Sequence, residues 1–168
     1  AKKLIKATGI NTPIELEILV LPRQDAKDIS QVIQQQLNSG GFNIKLANKE
    51  IGEFVQDWKN SDFDMFVSAN GGNPDPDQYF YRTFRTGGST NVFKYSDAEI
   101  DELLDKGRSS TSVSERKSIY DKVQRKLACE GPISHLAYGD LTTAVNKKVK
   151  GFEIYATGRL ASLISATK

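Results

Sequence analysis

The feature that most constrains the fold is an alternation of two hydrophobic periods between residues 15 and 68. Glu15-Leu16-Glu17-Ile18-Leu19-Val20-Leu21 closes on an unbroken apolar run, the pattern of a buried strand. Ile29, Val32, Ile33 and Leu37 then share one face of a helix that Asp25 or Asp28 can cap and Gly40-Gly41 can end. Phe42 to Ala47 alternates, with Ile44 and Leu46 on one side. Ile51, Phe54, Val55 and Trp58 return to helical spacing, and Phe63 to Ser68 is another apolar strand. The order β-α-β-α-β predicts a parallel sheet with right-handed crossovers, the core of an α/β fold.

The rest of the chain reads as helices followed by strands. Asp75-Pro76-Asp77-Gln78 places an acidic cap before a proline at the first helical position. Ser96-Asp97-Ala98-Glu99 is a capping box ahead of Ile100, Leu103 and Leu104, in a helix closed by Gly107. Ser112-Val113-Ser114-Glu115 is another, ahead of Ile119, Tyr120, Val123 and Leu127, and Pro132 breaks that helix. Ile133 to Tyr138 and Leu141 to Val145 are predicted as two strands joined at Gly139-Asp140. No internal repeat, low-complexity tract or domain boundary interrupts the chain, so 1–168 reads as a single α/β lobe.

Charge and cysteine content exclude several classes of function. The 23 basic and 21 acidic side chains leave a net charge of +2, which gives no electrostatic case for nucleic acid. Lys147, Lys148 and Lys150 read as a solvated strand edge. A single cysteine, Cys129, rules out an internal disulfide or a cysteine-rich zinc site. No apolar run approaches the roughly 20 residues of a membrane span. The opening Ala1-Lys2-Lys3-Leu4-Ile5-Lys6-Ala7 lacks the form of a signal peptide and reads as a helix already under way, the expectation for a piece of a longer protein.

Catalytic chemistry has little support. His135 is the only histidine and sits in a predicted strand, where packing or hydrogen bonding accounts for it. No nucleophile elbow or phosphate loop accompanies it. Asp62, Asp64, Asp75 and Asp77 could supply oxygen ligands, but capping and the helix dipole explain the latter two, and no metal or cofactor is predicted. Trp58 belongs to its helical stripe. Among Tyr79, Phe80, Tyr81 and Phe84, Tyr81 is the residue expected to be exposed. In a parallel α/β sheet the functional loops follow the carboxyl ends of the strands, which points to Ser68-Ala69-Asn70-Gly71-Gly72-Asn73 after the strand at 63–68. On the residues alone a plain turn is the simpler explanation of this segment.

The order of the motifs carries a resemblance. Asp62-Phe63-Asp64-Met65-Phe66-Val67-Ser68, a Gly/Asn loop and Pro74-Asp75-Pro76-Asp77-Gln78-Tyr79-Phe80 are followed by Asn91 and by Tyr95-Ser96-Asp97-Ala98-Glu99-Ile100-Asp101-Glu102-Leu103-Leu104-Asp105. Arg116-Lys117 to Leu127, Pro132 to Leu136 and Val149-Lys150-Gly151-Phe152 complete the series. Together these resemble family 5 of the bacterial solute-binding proteins, the oligopeptide-, dipeptide- and nickel-binding type, over nearly the whole chain.

The resemblance implies most of the second lobe of a two-lobed, type II periplasmic-binding-protein-like fold that closes on its solute by a hinge. It implies a non-enzymatic substrate-binding component of an ABC importer. Such a component takes a peptide, modified peptide or oligosaccharide in the interlobe cleft and delivers it to a membrane permease. It further implies a periplasmic or lipid-anchored extracytoplasmic location. A sensory module presenting a solute to a receptor is the alternative, and an isolated lobe could pair into dimers through its cleft face.

One departure from the family pattern bears on the solute. Many peptide-binding members carry Gly-Trp after this strand and then an aspartate that pairs with the peptide's amino terminus. Here Asn70 takes the tryptophan's place, the loop is one residue shorter and no aspartate precedes Asp75. Asn70 and Asn73 would hydrogen-bond the solute while Gly71 and Gly72 let backbone approach it, with Ser68 and Ala69 completing the loop. Neutral amides of this kind suit a sugar, an opine-like conjugate or a modified peptide better than a free amino terminus.

Overall fold

β1 (Ile14–Val20) is the middle strand of a three-stranded parallel sheet of order β2-β1-β3, with β2 at Phe42–Asn48 and β3 at Met65–Val67. Ile18 lies opposite Leu46 on one side and Met65 on the other, and Val20 opposite Asn48 and Val67. The helices of this part of the chain are α1 (Lys2–Thr8), α2 (Gln24–Gly40) and α3 (Ile51–Asn60). α4 (Pro76–Phe84), α5 (Ala98–Ser109) and α6 (Val113–Glu130) follow. This computed structural model describes residues 2–69, 74–139, 142–155 and 166–167. The chain forms two units, Ala1–Asn70 and Gly71–Lys168, and each has its own core.

In the first unit, β1 is covered on both faces along its carboxyl half. Ile18, Leu19 and Val20 are all buried, whereas Glu15 and Glu17 on its amino half are exposed. Ile18 and Val20 pack in one cluster with Ala26, Ile44 and Val67, against partly buried Ile33 and Leu37. Strand alternation turns Leu19 to the other face, and α3, which contacts β1, buries Phe54.

The side of α2 that meets the sheet differs from the sequence-based expectation. The stripe is Ala26, Ser30, Ile33 and Leu37, while Ile29 and Val32 are exposed. Small residues let the helix backbone approach the strands, and the Ser30 hydroxyl is satisfied by donating to Ala26 O at 2.7 Å. Neither Asp25 nor Asp28 is the cap. Arg23 holds that position without a side-chain cap bond, Asp25 lies in the first turn, and Asp28 accepts from Gln24. Gly41 ends α2 in a left-handed conformation (φ 108°), as the glycine pair predicts. β3 is shorter than the apolar run 63–68, because only Met65 to Val67 find ladder partners on β1.

The second unit is built on Phe84, Ile100, Leu104, Tyr120, Val123 and Leu127. All of the residues expected to be buried on α6 are buried there. α4 begins as predicted, with Pro76 at its first position and the Asp75 side chain accepting from Asp77 N–H. α5 is capped one residue later than expected, by Asp97, which accepts from Ile100 N–H, while Ser96 bonds Thr86 instead. The capping box of α6 is relayed: Ser112 accepts from Glu115 N–H, but the Glu115 carboxylate accepts from the Ser110 hydroxyl, which itself accepts from Ser112 N–H. Between α4 and α5, Asn91 closes the connection with three bonds, to Arg85 O and to both backbone groups of Tyr95.

Gly107 does not terminate α5, which runs on to Ser109. Its lack of a side chain serves packing instead. A β-carbon at 107 would lie 3.0 Å from Tyr120 Cζ and 3.1 Å from its hydroxyl oxygen.

Among the described residues the two predicted C-terminal strands do not form. Residues 133–139 and 142–145 form no ladder, and Leu141 lies outside the described residues. Apolar residues at strand-like spacing define a strand only where a neighbouring strand supplies hydrogen bonds, and Leu136, Tyr138 and Val145 are exposed here. His135 is therefore an exposed residue outside any strand, stacked on Tyr138 at 6.4 Å between ring centroids. The only pairing in this stretch among the described residues is an antiparallel bridge between Lys150 and Thr167.

Two outcomes follow. Gly107→Ala drives a methyl group into the Tyr120 ring, which also stacks on Phe80, and is expected to lose about 1–3 kcal/mol in urea denaturation. Gly52→Ala on α3, where no atom lies within 4 Å of the new carbon, is expected to gain about 0.5 kcal/mol. Separately, Ile100 N–H and then the Lys126 ammonium hold the Asp97 carboxyl below its ordinary value. That stabilisation is complete above the unfolded value near pH 4 and is lost as pH falls through the lowered folded value. Asp97→Asn should therefore flatten the fall in urea midpoint between about pH 5 and pH 3.

Candidate functional site

The strand order places the candidate site at one edge of the sheet. β1 connects through α2 to β2 on one side, while the chain reaches β3 on the other side of β1. Loops leaving β1 and β3 therefore diverge at the carboxyl edge, the place where open parallel sheets hold ligands. A hydrogen bond from Leu21 N–H to Val67 O at 3.3 Å extends the pairing one step beyond the ladder. Leu21-Pro22-Arg23 and Ser68-Ala69 thus leave the sheet side by side.

Ser68 and Ala69 are exposed and free of regular structure. Asn70, Gly71, Gly72 and Asn73, the remainder of the predicted contact segment, lie outside the described residues. Sequence reasoning missed Leu21 to Arg23 as neighbours of Ser68. The strand order 2-1-3 was the signal that would have found them, and periodicity does not carry it. Arg23 makes a two-point contact with Asp25, Nε to Oδ1 at 3.1 Å and Nη2 to Oδ2 at 2.6 Å, so the cation at this edge is already paired. At the end of β2, Lys49 is bound to Asp57, and that bond raises its pKa above the usual lysine value.

In the second unit the segment ends at the start of α4, which is held by two arginines. Asp75 accepts from its own helix, at Asp77 N–H, and from Arg116 Nη2 at 2.7 Å. Arg116 also donates through Nη1 to Gly107 O. Asp77, largely buried, takes Arg108 through Nε at 3.1 Å and Nη2 at 2.8 Å, and accepts from the Tyr120 hydroxyl at 3.3 Å. Burial first, and then the Asp77 charge, pushes the Tyr120 hydroxyl up to about 12. The bond to Asp77 raises Arg108 above its ordinary value. The Arg108 guanidinium lies 3.2 Å from the centroid of the Tyr81 ring, with Arg85 at 5.3 Å. Tyr81, expected to be exposed, is half-buried beneath these cations.

Three of the four aspartates considered as oxygen ligands are occupied within their own units. Asp64 accepts from Glu17 N–H at 2.8 Å in the first unit, and Asp75 and Asp77 hold arginines in the second. Among the described residues no group of three or more His, Cys, Asp or Glu side chains could hold a metal ion. No helix among them is long and apolar enough to cross a membrane. Among the described residues, the sheet edge presents exposed backbone and small side chains flanked by charges already paired.

Removing the cap at Asp75 tests the local geometry. Asp75→Ala is expected to lose about 0.5–2 kcal/mol in urea denaturation, and Asp75→Asn distinctly less, because an amide oxygen still accepts from Asp77 N–H.

Comparison with known proteins bears on what such an edge serves. The family model described as "Bacterial extracellular solute-binding proteins, family 5 Middle" matches residues 1–91. "Di/tripeptide-binding protein 2" of Pseudomonas aeruginosa (strain UCBPP-PA14) is 29% identical over 162 residues, covering 92% of this chain and 30% of that protein. NikA from Staphylococcus aureus, solved in complex with Ni(L-His)2, matches with a TM-score of 0.80 at 23% identity, over 94% of this chain and 35% of that one. HbpA2 from Haemophilus parasuis matches with a TM-score of 0.74 at 20% identity, over 95% of this chain and 33% of that one. The chain spans about a third of the length of the curated relatives it matches.

Proposed function

Since the chain belongs to family 5 of the bacterial extracellular solute-binding proteins and has their α/β fold, we propose that residues 1–168 are one lobe of the substrate-binding component of an ABC importer. The solute is captured in a cleft between this lobe and the remainder of the protein and handed to a membrane permease outside the cytoplasm. Ser68 to Asn73 make this lobe's contacts with the solute. The lobe binds without catalysing a reaction.

The observation that carries this reading is the place of Ser68 and Ala69. They leave β3 beside the β1 loop at the point where strand order reverses, which is where a parallel sheet offers its exposed backbone. Residues 68–73 contain no carboxylate, and the first aspartate after them, Asp75, is bound to Arg116. A solute with a free ammonium group would have no unpaired carboxylate to meet in this segment. The solute class is therefore one read by neutral hydrogen bonding: an oligosaccharide, an opine-like conjugate or a peptide whose amino terminus is masked.

A thermal-shift series on the full-length protein tests this with alanyl-alanine, N-acetyl-alanyl-alanine, maltotriose, octopine and Ni(L-His)2. Binding to the native state stabilises it by about 2.7 kcal/mol at a hundredfold excess over Kd. The melting temperature is expected to rise with at least one of the acetylated peptide, the sugar and the opine, and to stay unchanged with alanyl-alanine. A shift with alanyl-alanine alone would overturn the assignment of solute class, and no shift with any of the five would overturn the binding reading itself.

A further inference from the structure

We propose that Gln34 and Asn38 on α2 guard the outer edge of β2, where their amides keep a second copy of this chain from adding its own β2 to the sheet. β1 is paired on both sides, whereas β2 has β1 as its one strand neighbour among the described residues. The seven residues of β2 include no proline. An open edge of that length is a template for another strand. β3, at three residues, gives an incoming strand far less to hold. Charge usually blunts such an edge, but β2 carries only Lys45, whose ammonium lies 3.9 Å from Glu15 on β1.

The guard acts at Ile44. Its N–H donates to Asn38 Oδ1 at 2.8 Å, and its C=O accepts from Gln34 Nε2 at 2.7 Å. One acceptor and one donor are what a neighbouring strand would present to the same residue. A residue's N–H and C=O leave a strand on the same side, and that side recurs at every second residue. With both groups taken by α2, Ile44 faces away from β1, in the row Phe42, Ile44, Leu46 and Asn48. Two-fold pairing of β2 with β2 of another copy would need this row, and its second member is already bonded. Seating the helix does not require these amides. α2 meets the sheet through Ala26, Ser30, Ile33 and Leu37. Gln34 and Asn38 each follow a residue of that stripe and lie four apart, one above the other along its flank.

Sedimentation equilibrium of the full-length protein between about 1 and about 100 µM tests the guard. The comparison takes wild type, Gln34→Ala/Asn38→Ala, Asn38→Ala, Asn38→Asp and Ile18→Val. Wild type is expected to stay at monomer mass throughout. In the double variant the mass should roughly double at the top of the range and stop there, because a two-fold contact closes on itself. Hydrogen exchange of the peptide spanning 42–48 should be faster than in wild type at the lowest concentration and slow again as the double variant pairs. Asn38→Ala alone, which frees only the N–H, should pair at about tenfold higher concentration and serves if the double variant does not fold. Asn38→Asp still accepts from Ile44 N–H and should remain monomeric. Ile18→Val loosens the same core with both amides in place, and should lower the urea midpoint without pairing. The guard is overturned if neither alanine variant pairs, if wild type pairs as readily as they do, or if Ile18→Val pairs too, since self-association would then follow lost stability and not the exposed edge.

Discussion

The first unit depends on the burial of three consecutive residues of β1. Ile18, Leu19 and Val20 are inaccessible on both faces, and the strand is paired on both edges. A strand so placed cannot tolerate a polar side chain on either face along that stretch, so helices must cover both sides. Only a parallel arrangement with helical crossovers supplies them from the adjoining chain. The amino half of the same strand shows what happens without that cover. Glu15 and Glu17 point to solvent, with Asn43 and Lys45 beside them on β2. Cover at the carboxyl end also decides where loops emerge, which is why the exposed backbone of Ser68 and Ala69 leaves the sheet at the same edge as Leu21 to Arg23.

The second unit depends on a close approach. Gly107 lets the Tyr120 ring lie against the α5 backbone, and the ring's hydroxyl thereby reaches Asp77 on α4. Ile100 and Leu104 on α5, Val123 and Leu127 on α6 and Phe84 on α4 then close around it. Each fully buried aliphatic side chain contributes about 1.5–3 kcal/mol. Nondirectional burial of this sort does not fix how three helices are set against one another, and the charged bonds at Asp75 and Asp77 do, because a bidentate guanidinium tolerates little rotation.

Much of this was legible in the sequence, for identifiable reasons. The strand–helix order of the first unit rests on long periodic segments, and periodicity reports burial directly. Pro76 and Asp75 marked a helix start through local chemistry that tertiary structure did not alter. The errors arise where a second element decides the outcome. Ile29 and Val32 fit a helical stripe as well as Ala26 and Ser30 do, and only the distance to the sheet selects the smaller pair. Gly107 reads as a terminator until Tyr120 stands beside it. Ile133 to Tyr138 have the composition of a strand but, among the described residues, no ladder to join. At the candidate site, the strand at 63–68 was legible and its carboxyl end could be named, whereas its neighbour, the β1 loop, depended on strand order. The side-chain contacts at Asp75 and Asp77 depend on Arg108, Arg116 and Tyr120, 31 to 43 positions away, beyond the reach of any local pattern.

The distribution of charge along residues 68–77 connects fold to specificity on the proposed reading. A carboxylate that already accepts from an arginine and a helix N–H has spent its strongest lone pairs, and detaching it to meet an incoming ammonium would leave the arginine unpaired. Asp75 is in that position, and Asp77 more so, being largely buried and bonded to both Arg108 and Tyr120. The same bonds that set α4 therefore withdraw its aspartates from solute recognition. The sequence ahead of them offers only hydroxyl, amide and backbone groups. Those groups can donate and accept but cannot balance a full charge in a closed, poorly hydrated cleft, where an unpaired ion is costly. Affinity for a neutral, hydroxyl- or amide-rich solute and rejection of a free ammonium group would then be two consequences of one arrangement.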